Sequence, residues 1–454
     1  MSNGSEKGEL KKALGPFQLW VIGVGAVISG NYFGWNFGIA SAGYGGFLIS
    51  IALMAIMYLA MILSISELST LMPYAGGPYA FARRAMGQLP AFITGIGVVL
   101  EYFIAAPVVA LGVGGYVNFL IPGADPVLVA VILYGIFAIV HIIGIGEYAA
   151  LETVFTILAL GLIVLMYFVG FPHVETVNLF GVGGSNILPN GFQGVWAGLP
   201  FAMWLFLAIE MLPMLAEETK NPEKDLPKGA ISSIVTMLIL CYLTTTCAVG
   251  LGGAAIGTSA YPLADAVAVA FGKDFWLAKI LASVGLVGLL ASFSAVMLAY
   301  SRQIFALSRM GYLPAFFSKL HPTRKTPVWS IVLPAIVGLL LVMFINPDEL
   351  ILLATFGALL SYIAMMVSVM ILKAKEPNLH RPYKVPLGNV LPAIGTVFAT
   401  IALFSSVFRE QKWFLINMII LTIAIIYYFT WARHHINLDA PEEASAIAAK
   451  AENE

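Results

Sequence analysis

Gly23-Val24-Gly25-Ala26-Val27-Ile28-Ser29-Gly30-Asn31-Tyr32-Phe33-Gly34-Trp35-Asn36 lies inside the first long apolar run of the chain and puts one serine and two asparagines where lipid would be. Backbone that leaves a helix in hydrocarbon loses its hydrogen-bond partners, so it must be buried in protein or line a cavity. Glycines alone would read as close helix packing. Ser29-Gly30-Asn31 in the middle of the run reads instead as a broken helix. A second interruption falls in the sixth run, at Trp204-Leu205-Phe206-Leu207-Ala208-Ile209-Glu210 with Pro213 beyond it. The first run enters from one side of the bilayer and the sixth from the other. Two interrupted segments of opposite direction predict an inverted repeat with a solute site between them at the midplane.

The 454 residues are 60% hydrophobic and only 10% charged. Soluble domains carry about 25% charged residues, and runs of about 20 apolar residues that can each cross a bilayer account for the deficit. Twelve spans are expected near 17–41, 43–70, 88–120, 125–145, 149–171, 194–217, 229–256, 276–308, 328–346, 349–373, 388–408 and 413–432, with a short interfacial helix in 257–275. Nineteen of the 23 Lys and Arg then fall on the side of the N-terminus and four, Lys273, Lys279, Arg409 and Lys412, on the other. The positive-inside rule makes both termini cytoplasmic and the location a cell membrane. The expected organisation is a tail over 1–16, one membrane domain over 17–432 and a tail over 433–454. The repeats cover 17–171 and 194–373, and 388–432 adds two further helices.

The N-terminus lacks a cleavable apolar signal. Cys241 and Cys247 lie six apart in one apolar run, which fits neither a metal knuckle nor a redox motif. No GxxxxGK[ST], HExxH or GxSxG motif occurs and the six histidines are scattered, which disfavours ATP-driven pumping, metal hydrolysis and Ser–His chemistry. No basic patch suits a nucleic acid. The expectation is a carrier rather than an enzyme, without cofactor, in a lipid bilayer; a transporter-like sensor and any oligomeric state stay open.

Four motifs in order, Gly25 to Phe33, Glu67 to Tyr79 (ELSTLMPYAGGPY), Leu215 to Pro222 (LAEETKNP) and Ser301-Arg302 through Arg309-Met310-Gly311-Tyr312-Leu313-Pro314, resemble the amino acid–polyamine–organocation superfamily over nearly the whole chain. Met310 stands where an acidic residue is usual. The resemblance implies an all-α membrane fold, a five-plus-five inverted repeat with discontinuous helices 1 and 6, and alternating-access transport of a small amine. Ser29 to Asn36 together with Glu101-Tyr102 look most like the ethanolamine permease branch, so import of ethanolamine is the first expectation and an amino acid permease or exchanger the alternative.

The resemblance places the solute at Ser29, Gly30, Asn31, Tyr32, Glu101, Tyr102, Trp204, Leu207 and Glu210. Amino acid carriers of the superfamily hold a carboxylate on backbone N–H groups of a Gly-Ser-Gly turn, assisted by a half-helix dipole. Asn31 replaces the third glycine here; its amide suits a neutral hydroxyl, or else it turns away and caps the half-helix. Glu101, in mid-span 3, is costly in lipid and by default functional: a counter-ion for an alkylammonium, or a neutral packing group. Trp204 and Glu210 keep the spacing of the tryptophan and glutamate of members that exchange arginine and agmatine. Trp204 could gate the site or anchor at the interface, and Glu210 could touch solute or brace the break. Phe356 could cap the site from outside or face lipid. A lysine found in span 5 of some members corresponds to Ala159. Ser292 and Ser294 could bind Na+ with carbonyls of the span 1 break; H+ coupling through Glu101 or Glu210 and facilitated diffusion stay open. Glu67 and Glu217-Glu218 read as structural or gating partners of nearby cations, and Glu147 and Glu152 as solvated.

Overall fold

Pro16 can open a helix because the first turn needs no N–H. Helix α1 (Pro16–Val27) begins there, with the Gln18 side chain accepting from Gly15 N–H. The computed structural model describes residues 14–72, 77–143, 148–181, 187–438 and 440. The expected terminal tails lie largely outside these residues, as do Glu147, the Glu152 and Glu217 side chains and part of the Glu67–Tyr79 motif. A short turn, α2 (Ser29–Tyr32), follows α1. Helix α3 (Asn36–Leu71) is then bent at Gly43, whose φ of 69° lies in the left-handed region. There Pro189 blocks the space a Cβ would need. Span 1 is therefore α1, α2 and the first turns of α3; span 2 is the rest.

Next come α4 (Gly77–Met86), α5 (Gln88–Leu120), α6 (Pro126–Ile143), α7 (Tyr148–Gly170), α8 (Thr176–Phe180) and α9 (Gly191–Trp204). A 3-10 segment over Ile209–Glu218 leads to α10 (Pro222–Gly252), α11 (Pro262–Phe271) and α12 (Trp276–Arg309). The chain closes with α13 (Val328–Phe344), α14 (Pro347–Lys375) and α15 (Val390–Thr430), the last interrupted at Glu410 by φ −163° and ψ 103°. Among the described residues nine helices are long and apolar enough to cross a membrane. That count takes α15 as one and leaves out the broken first span and the 17-residue α13, which accounts for the twelve expected crossings. The seventh span starts earlier than expected, because Pro222 takes the first helical turn. Helix α11 is the short helix expected in 257–275. The amphipathic α4 was not foreseen.

The protein is thus an all-helical, multi-pass membrane protein. Helix α6 exposes Leu128, Ile132, Ile136 and Ile139, and lipid is the solvent such a face requires. Inside, helices approach through small residues. A Cβ on Gly97 of α5 would stand 2.7 Å from Gly357 O of α14, so these two helices meet with little between their backbones.

Two polar ties hold the ends of the bundle. Buried Glu67 of α3 meets Lys373 Nζ at 3.0 Å and Arg381 Nε at 3.1 Å, and accepts from Val385 N–H at 2.7 Å. This bears out its reading as an ion-pair partner. At the start of the chain, Leu14 N–H donates to Glu218 O at 3.0 Å and Lys220 N–H to Leu14 O at 2.9 Å. That two-bond parallel bridge joins the entry of α1 to the exit of the 209–218 segment.

Candidate functional site

Both expected breaks are present, and they touch. After α2, Phe33 is extended (φ −154°, ψ 149°) and Gly34 takes φ 97°. The loosened backbone is re-satisfied by side chains, as a break in lipid requires. Gly34 N–H donates to Asn36 Oδ1 at 3.1 Å, and Asn36 Nδ2 donates to the carbonyls of Ile256, Gly257 and Ser259 at 3.1, 3.3 and 3.0 Å. Trp35 Nε1 donates to Asn31 O at 3.0 Å. Tyr32 is fully buried; its hydroxyl donates to Ala159 O at 2.8 Å while its own carbonyl accepts from Tyr116 at 2.8 Å.

In span 6, α9 ends at Trp204 and the chain turns through Leu205 to Ala208. Leu207 N–H reaches back to Trp204 O at 3.4 Å, and Ala208 takes φ 80° and ψ 0°. A left-handed conformation is one that an L-residue other than glycine rarely adopts. The break therefore survives the alanine and carries local strain. The first break packs on this turn through Gly30: a Cβ there would stand 2.8 Å from Trp204 O and 3.3 Å from Leu205 Cα. The Trp204 indole lies over the first break and donates from Nε1 to Phe33 O at 2.9 Å. Within the turn, Asn31 is completely buried and neither its Oδ1 nor its Nδ2 has a partner. An unmade hydrogen bond of this kind costs about 1–3 kcal/mol.

Glu101 and Tyr102 of α5 join Glu210 beside the span 6 turn. Tyr102 Oη lies 2.6 Å from Glu210 Oε1. Tyr362 Oη, from α14, lies 2.6 Å from Glu210 Oε2 and 2.9 Å from Glu101 Oε1. The Glu101 and Glu210 carboxyls thus meet on the same Tyr362 hydroxyl. Tyr58 of α3 backs the group, 3.2 Å from Met203 O and 3.4 Å from Tyr362 Oη. Glu101 is thus part of a carboxyl–tyrosine cluster with Glu210, Tyr102 and Tyr362.

Other expected residues separate. Ser292 Oγ donates to Gly25 O and Ala26 O at 3.1 and 3.3 Å, at the end of α1, where the buried Thr156 hydroxyl is also unpartnered. Ser294 does not join it: its Oγ is 3.2 Å from His141 Nε2, because two residues along a helix turn the side chain by about 200°. That corrects its place in a shared cation site. Phe356 is buried with its ring against Phe414, centroids 6.1 Å apart, so it does not face lipid. Tyr58, Asn36, Thr156 and Tyr362 are not among the site residues expected from the sequence. Their signal was a hydrogen-bonding side chain in an apolar run.

The amino acid permease family profile matches residues 14–426. The branched-chain amino acid permease of Bacillus subtilis (strain 168) is 29% identical over 95% of each chain. The methylthioribose transporter of the same organism is 27% identical over 96% of each. Cationic amino acid transporter 7 of Arabidopsis thaliana, chloroplastic, is 25% identical over 93% of this chain and 76% of its own. With two touching helix breaks buried in a twelve-span bundle, the chain belongs to the amino acid permease family of membrane transporters, and it is not an enzyme.

Proposed function

We propose that the chain is an amino acid permease that moves its solute by alternating access, with the site at the contact between the turn over Ser29–Tyr32 and the turn over Trp204–Ala208. The observation that supports this most is the buried, unpartnered Asn31 amide lodged in a broken helix: a solute offering a donor and an acceptor would satisfy it. Relatives named for branched-chain and cationic amino acids favour an amino acid as that solute. Its carboxylate would take N–H groups of the Ser29–Tyr32 turn, and its ammonium would lie toward the Trp204 face, worth about 0.5–2 kcal/mol. Trp204 would gate the site. Ser292, Thr156 and the α1 carbonyls have the oxygen chemistry a sodium ion needs, although Ser292 now spends its proton on those carbonyls. The charge bias puts both termini in the cytoplasm of a cell whose surface membrane holds the protein.

A second reading, ethanolamine as the solute, is favoured by Asn31 itself. A side chain where amino acid carriers have glycine takes up carboxylate space, and its amide suits a hydroxyl.

Uptake of labelled leucine and labelled ethanolamine into proteoliposomes separates the two. Leucine accumulation blocked by other amino acids is the expected result. Ethanolamine accumulation blocked only by amines without a carboxylate establishes the second reading. Accumulation of neither sinks both. In Asn31→Gly, a gain for serine over ethanolamine marks the side chain as a filter, and no gain removes it from that role.

A further inference from the structure

We infer that Glu101 and Glu210 hold one proton between them through Tyr362, and that this proton leaves when an ammonium group binds at the broken helices. The exchange rests on the permease reading; the shared proton does not.

The argument is a count. Three short oxygen–oxygen contacts link the cluster: Tyr102 Oη to Glu210 Oε1 at 2.6 Å, Tyr362 Oη to Glu210 Oε2 at 2.6 Å, and Tyr362 Oη to Glu101 Oε1 at 2.9 Å. Each needs a hydrogen, and the two phenols supply two. A phenol that donates to one carboxylate can only accept from the next, so the third contact requires a hydrogen on a carboxyl. One added proton completes the set as carboxyl O–H to Tyr362 oxygen and Tyr362 O–H to carboxylate. Both carboxyls meet on the one Tyr362 hydroxyl, and two carboxylates sharing one site repel, which demands the same.

The surroundings supply no other neutraliser. Among the described residues the side chains hydrogen-bonded to the pair are Tyr102 from α5 and Tyr362 from α14, backed by Tyr58 from α3, and none of them is a cation. Glu101 is completely buried and no donor group reaches its Oε2, so one acceptor stays open. An arriving R–NH3+ can donate to it. If the shared proton then departs to solvent, the site goes from one carboxyl and one carboxylate to two carboxylates and one ammonium. Its net charge stays at one negative unit, which avoids the cost of changing the charge buried in the membrane. The proton moves as H+ and no other bond changes.

Infrared spectroscopy of the reconstituted wild type reads the first half without any solute. A carboxylic-acid C=O band that is lost in both Glu101→Gln and Glu210→Gln is expected. Its absence from the wild type, or its persistence in both variants, overturns the shared proton. Calorimetry with ethanolamine and with leucine in buffers of different ionisation enthalpy reads the second half. The expected result is one proton released per ammonium bound, with affinity rising about tenfold per pH unit wherever the free protein holds the proton and the complex does not. Binding without proton release overturns the exchange. Binding of neither probe strikes the permease reading instead, and the infrared band alone then decides the shared proton.

Discussion

Gly30→Ala probes the contact on which the site depends. The added methyl carbon would stand 2.8 Å from Trp204 O and 3.3 Å from Leu205 Cα, both backbone atoms. Neither can rotate away as a side-chain tip would, so the two turns must separate by a few tenths of an ångström. Overpacking of this kind costs about 1–3 kcal/mol, and the Trp204 Nε1 to Phe33 O bond at 2.9 Å stretches with it. A penalty confined to conformations in which the turns touch shifts the population toward those in which they are apart, by about 5- to 150-fold. Hydrogen exchange measured by mass spectrometry over 25–36 and 204–210 should rise by that factor, with a matching loss of thermal stability in detergent. Gly161→Ala is the control, because nothing lies within 4 Å of its added carbon. Should both alanine variants exchange and melt like the wild type, the two breaks do not press on each other and the reasoning from Gly30 is wrong.

Ala208→Gly should raise stability by about 0.5–1 kcal/mol, since φ 80° costs an alanine more than the extra chain entropy costs a glycine; a thermal melt that falls instead refutes the strain. Glu67→Gln should cost about 3 kcal/mol, the lower end for breaking a buried ion pair, because Lys373 and Arg381 lose their carboxylate. A melt unchanged from wild type would contradict that tie. Ser292→Ala should cost about 1 kcal/mol through its lost bonds to Gly25 and Ala26 and slow uptake, whereas Ser294→Ala should leave uptake unchanged. Equal effects on uptake would place both serines at the same site.

The breaks were legible because polar residues in an apolar run have few explanations, and Ser29, Asn31 and Glu210 are such residues. Span ends near 43 and 410 were legible from Gly43 and the charged stretch around Glu410. What could not be read is how distant side chains pair. Glu101 stands out as a carboxylate in lipid, but Tyr362 lies 261 positions later and nothing local joins them. Ala208 does not itself favour the left-handed backbone it adopts; the surrounding fold imposes that conformation against the residue's own preference. The separation of Ser292 from Ser294 was available from the helical repeat.

The short bridge between Leu14 and the strand-like backbone on either side of Thr219 has a mechanical consequence. The first half of span 1 and the second half of span 6 are stitched at their outer ends, while further in Gly23 of the one lies against Leu212 of the other. Two rods fastened at one end and touching further in cannot swing separately without tearing the stitch. They behave as a paired lever with one fulcrum, so opening a passage on that side of the bilayer is a single displacement and not two that must be timed against each other.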